Sequence, residues 1–225
     1  MLIRLVAQKQ SPNAPLLSEA ARIANHCQSR FFVKFEEATQ EFLPVVRGFV
    51  DFDSIPQSLQ KHFGEERAVV FTDAPFSNNW FGRHGSRQSL LSLAGWSTHF
   101  APPSAMVFAL HRVAACSLMF STIATAEDIA NLFHDEPVGC AFDFCGDKTD
   151  VRRTLFAGYL SPEVRGALRR LSCPDAAISA AEAVFDQVRL EATGRGRGMQ
   201  FDEAFVVMKF SEGDDNDNAY RYAIR

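Results

Sequence analysis

The six histidines and five cysteines are the residues of this chain best suited to hold a metal or move a proton. They are His26, His62, His84, His99, His111, His134, Cys27, Cys116, Cys140, Cys145 and Cys173. No two histidines stand four apart with a glutamate between them, so the helical arrangement that offers two imidazoles and a general base to one zinc ion is missing. Four residues beyond His111 stands Ala115, which cannot ligate, and Cys116 one further on falls on another helical face. His111 is therefore expected to be a core histidine paired with a backbone or acidic group. His134, Cys140 and Cys145, with Asp143 or Asp147, carry the donor types of a zinc site. In one unbroken strand, however, Cys140 and Cys145 would point to opposite faces. The expectation is no metal and no cofactor, with a metal site near His134 as the alternative.

Among nucleophiles, Ser86 lies in Arg83-His84-Gly85-Ser86-Arg87, without the strand-turn-helix setting of a nucleophile elbow. Cys145 is the better candidate. It ends an apolar stretch just before Gly146-Asp147, where a helix start would lower a thiol pKa. His84, His99 or His134 would be its base. The acid pairs Asp51/Asp53 and Asp143/Asp147 read as solvated turn acids, and no phosphate-binding glycine loop occurs. The region expected to bind is the polar connection from Asp73 to Arg87, with Asn79, Trp80, Arg83, His84 and Arg87 between two sheet strands. Aromatic rings beside arginines suit an anion, a base or a peptide.

Residues 67–145 resemble the zincin metalloproteases, nearest the archaemetzincin branch, with the zinc-binding motif degenerate. The resemblance rests on an apolar strand, a polar loop, a strand at Leu90–Ala94, a buried helix around His111, and a turn near His134 and Cys140. It implies that His111 stands where the first zinc ligand belongs. Arg112 would replace the catalytic glutamate, Ala115 the second histidine, and His134 would match the third. A fold relative without protease activity follows from those departures.

The elements that must position these groups form an alternating pattern of strands and helices. Strands are predicted at Leu2–Ala7, Phe31–Phe35, Val45–Phe52, Arg67–Thr72, Leu90–Ala94 and Val138–Cys145. Helices are predicted from Ser18 to about Ser29, at Glu36–Phe42, Ile55–Phe63, Met106–Phe120 and Ala126–Phe133, to about Phe156, from Pro162, and at Asp175–Ala192. The run Ala68-Val69-Val70-Phe71 is apolar without alternation, which marks a strand covered on both faces. The fold class expected is α/β (or α+β): a single domain, a mixed twisted sheet packed by helices around a central buried helix. Residues 1–194 would form it, and 195–225 a strand hairpin packed on it.

A net charge of −4 argues against a broad nucleic-acid surface, although Arg83, Arg87, Arg195 and Arg197 could form a local one. Twenty-one phenylalanines against three tyrosines imply a dry core. An odd number of cysteines without CxxC spacing fits the reducing cytoplasm. No stretch reads as a comfortable membrane span. The function expected is non-catalytic recognition or assembly with another protein, a peptide or small molecule being the other ligand classes. The alternative is a hydrolase using Cys145 with a nearby histidine, or a metal near His134.

Overall fold

The computed structural model describes residues 1–78 and 80–194, so Asn79, Arg195, Arg197 and the expected C-terminal hairpin lie outside the described residues. The chain forms β1 (Leu2–Ala7), α1 (Ala14–Cys27), β2 (Phe32–Glu37), β3 (Val45–Val46), β4 (Phe49–Val50), α2 (Ile55–Phe63), β5 (Ala68–Thr72), β6 (Gly82–His84) and β7 (Gln88–Ser92). It continues with α3 (Ala105–Met119), α4 (Ala126–Ala130), α5 (Val151–Ala157), α6 (Pro162–Arg170) and α7 (Asp175–Ala192). The main sheet has the order β2-β1-β5-β7-β6, parallel except for β6, which runs antiparallel to β7 at one edge. This is the expected single α/β domain with a mixed sheet.

The unbroken apolar run of β5 has the expected cause. Val69 and Phe71 point into a core shared with α1, α3 and α7, whereas Ala68 and Val70 pack under α2 beside Ile55, Leu59 and Phe63. Helix α3 lies between the sheet and α7, so every residue from Ala105 to Met119 is buried. Its start is fixed by Ser104, whose hydroxyl accepts the Val107 N–H. Ser161 caps α6 in the same way, with Pro162 in the first turn. Gly158 ends α5 in the left-handed conformation at φ +46°.

Several expected elements differ. Helix α1 begins at Ala14, with Pro15 in its first turn, rather than at Ser18. The segment expected as a helix from Glu36 instead extends β2 to Glu37, where Arg4 of the neighbouring strand pairs with Glu36. Val45–Phe52 is a hairpin, because Arg47 and Gly48 take φ of +52° and +84° and turn the chain back. Helix α4 stops at Ala130, before Phe133, although the Thr125/Asp128 capping box is present. Val138–Cys145 is not a strand. Gly139 turns it at φ +85°, and only isolated bridges join His134 to Asp143 and Cys140 to Tyr159. Cys140, Ala141, Phe142 and Asp143 are therefore buried in succession instead of alternating. The polar connection contains β6, where composition predicts loop.

Candidate functional site: an aromatic cleft beside the edge strand

A cleft of about 550 Å³ opens along β6. One wall is Trp80, Phe81, Gly82, Arg83 and His84, and the facing wall is Ile129, Phe133 and the segment Asp143–Gly146. The β6–β7 ladder uses Phe81, whose carbonyl accepts the Ser92 N–H, and Gly85, whose N–H donates to Gln88. Alternation along an antiparallel pair then turns the backbone N–H and C=O groups of Gly82 and His84 outward, toward the free edge.

Aromatic contacts brace the walls. Trp80 meets Phe52 and Phe144 edge-on, with centroids 5.6 and 5.3 Å away. His84 stacks on Phe133 at 5.6 Å, and Arg83 lies over Phe52 at 4.5 Å. Arg112 rises from α3 to line the cleft, although only 3% of it is exposed. Its guanidinium lies 5.6 Å over Phe108 and makes no hydrogen bond or ion pair with any described residue.

Electrostatics follow from this burial. His84 is pushed down to about 3 by desolvation, with the Arg112 charge adding to it, and is neutral at neutral pH. Its Nδ1 lies 3.1 Å from the Ser89 hydroxyl. Burial lowers the Arg112 pKa as well, against the pull of Cys145, Cys116 and Asp143. Burial raises the Asp143 carboxyl, opposed by backbone N–H donors. Asp143 Oδ2 accepts the Gly139 N–H at 2.6 Å, while Oδ1 is buried without a partner.

Of the expected site residues, Trp80, Arg83, His84 and Cys145 come together in the cleft. Arg87 does not, because it pairs with Glu65 at 3.3 Å on exposed surface. His134 is not among the residues lining the cleft, and its Nε2 lies 3.0 Å from the Ser161 hydroxyl. His111 makes neither expected pairing: its ring packs on Phe185 of α7 at 5.3 Å, and both nitrogens are buried without partners. The Cys145 thiol is not lowered either. Burial raises it, with Arg112 opposing, and its neighbours are the Asp143 carbonyl and the Thr154 hydroxyl, each at 3.8 Å. We therefore expect Cys145 to react with iodoacetamide more slowly than free cysteine at neutral pH. Labelling followed by mass spectrometry checks this, and faster reaction would contradict it. Phe133, Phe144 and Arg112 were not read as site residues. The available signal was an arginine inside an otherwise apolar helix, which sequence reasoning treated only as a lost glutamate.

Two donor sets bear on metal. On α3 the residues do not fit zinc, since His111 faces α7, Ala115 has no donor atom, and the side chain reaching the cleft is the cation of Arg112. Elsewhere, ligand atoms of His134, Cys140 and Asp143 all lie within 4.8 Å of one another.

No family model and no curated protein matches the chain. Among solved structures it is similar to a zinc-dependent peptidase from Methanocorpusculum labreanum, with 13% identity and a TM-score of 0.44. It is also similar to archaemetzincin from Archaeoglobus fulgidus, with 14% identity and a TM-score of 0.45. Each match covers 74% of this chain and 99% of the other. The likeness is weak, and the sequence carries no intact zinc-binding motif.

Proposed function

We propose that this is a non-catalytic recognition protein whose cleft holds an extended segment of a partner polypeptide beside β6. The observation that carries this reading is the position of the cleft. It runs along a strand edge whose outward N–H and C=O groups are unpaired among the described residues, between aromatic walls. A strand edge supplies sequence-independent hydrogen bonds, and flanking apolar walls select alternate side chains. Catalysis is less well supported, because Cys145 has a raised pKa and no hydrogen bond to a histidine among the described residues. All five cysteines are unpaired, which supports a reducing, cytoplasmic setting. No described helix is long and apolar enough to cross a membrane.

The test is selection of displayed random peptides against the full chain. Enriched peptides should bind with Kd of roughly 1–100 μM and weaken about ten-fold or more on Trp80→Ala, an exposed change that leaves the core intact. Failure to enrich any peptide, or binding indifferent to Trp80→Ala, would refute the reading.

A second reading rests on the His134, Cys140 and Asp143 donors. They would hold a zinc ion, which supplies Lewis-acid chemistry when bound. The Ser161 hydroxyl would orient His134, and the Ser161 N–H, 3.4 Å from Cys140 Sγ, would stabilise the thiolate. The Arg112 charge, close enough to interact with Cys140 and Asp143, disfavours a dication there. Elemental analysis of protein purified without chelator separates the readings: one equivalent of zinc favours the second, and none favours the first.

A further inference from the structure

We infer that Arg112 makes the inner end of the cleft a carboxylate-binding site, taking a monoanionic carboxylate attached to an apolar or aromatic group. This rests on the recognition reading and names the ligand chemistry of that cleft. Arg112 is 3% exposed and lines the cavity, with Nε buried and unpartnered. A guanidinium withdrawn from water without a counter-ion is strongly unfavourable unless its donors are used. Here Asp143 is near enough to interact but forms no ion pair with it. The planar donor fork matches two carboxylate oxygens.

The surrounding charge selects the class. Three cations, Arg83, Arg112 and Lys148, line the cleft together with two carboxylates, Asp135 and Asp143, and His84 is neutral. That balance suits a monoanion. A phosphate dianion added to the two aspartates would outnumber the three cations by one charge. The apolar remainder of the ligand is set by Phe133, Phe144 and Ile129 on the facing wall.

The experiment titrates the full chain by calorimetry with N-acetylphenylalanine, its neutral amide, N-acetylaspartate amide and phenyl phosphate. The inference expects N-acetylphenylalanine to bind at least about ten-fold more tightly than its amide and than phenyl phosphate, with the preference abolished in Arg112→Gln and partly kept in Arg112→Lys. The aspartate derivative reports whether a side-chain carboxylate is taken as readily as a terminal one. If Arg112→Gln does not fold, the acid-versus-amide ratio on the unaltered chain still decides. Equal binding of acid and amide, or preference for the phosphate, overturns the inference. Should displayed peptides bind the cleft while acid and amide bind alike, the carboxylate inference falls and the recognition reading stands. Should the acid bind selectively while no peptide is enriched, the recognition reading falls and the anion site stands.

Discussion

Phe108→Ala is expected to lower unfolding stability by about 3–5 kcal/mol, a large share of the roughly 5–15 kcal/mol typical of a domain. Phe108 is fully buried in the first turn of α3. Its ring stacks on Trp96 at 4.4 Å and meets Phe71 and Phe81, both at 6.1 Å, so truncation leaves a cavity shared by the helix, the sheet and the inner cleft wall. The neighbouring elements cannot close over it, because α3 is held between the sheet and α7. The same ring is the platform under Arg112, so the variant should also lose affinity for cleft ligands. Denaturant unfolding followed by circular dichroism measures the first effect. A loss below about 1 kcal/mol would mean that α3 is not the packing centre.

The second large effect is acid lability. Burial holds His84 at about 3 and His111 well below the ordinary 6.5. In the unfolded chain both imidazoles take a proton as pH falls through 6.5, and the folded chain refuses it. Stability is therefore complete above that pH and declines below it, by up to about 1.4 kcal/mol per pH unit for each histidine. Together they should remove up to roughly 4 kcal/mol by about pH 5, an upper bound because His84 is only half-buried by area. Asp143, whose carboxyl is raised by burial, opposes this with one group against two. His111→Leu should halve the slope. It should also stabilise the fold at neutral pH by about 1 kcal/mol or more, because two buried unpartnered nitrogens leave with the ring. Urea unfolding across the pH range checks both statements. An unchanged slope in His111→Leu would show that the residue takes up its proton when folded.

The framework of the fold was legible wherever one local cause decided an element. The apolar run Ala68–Phe71 needs cover on both faces and has it. Ser104 and Ser161 cap the helices that follow them, and Gly158 ends one. The elements misread are those decided by tertiary context. Gly82-Arg83-His84 has no alternation to mark a strand; pairing with β7 makes it one. Val138–Cys145 alternates like a strand, yet the Gly139 turn and the Asp143 bond to its N–H fold it into a loop. Half of the cleft was legible for the same reason. Trp80, Arg83 and His84 were found because aromatic and basic residues cluster in one polar segment. Phe133 and Phe144 look like core residues, and Arg112 looks like an isolated substitution, until the fold brings them opposite β6.

Backbone amide exchange on the full chain, with and without a selected peptide ending in a free carboxylate, tests the central claim most directly. Bound peptide should slow exchange at Gly82 and His84 by about ten-fold or more, leaving the β3–β4 hairpin unchanged. Peptide bound at saturation with the Gly82 and His84 amides exchanging at their free rates would contradict the account.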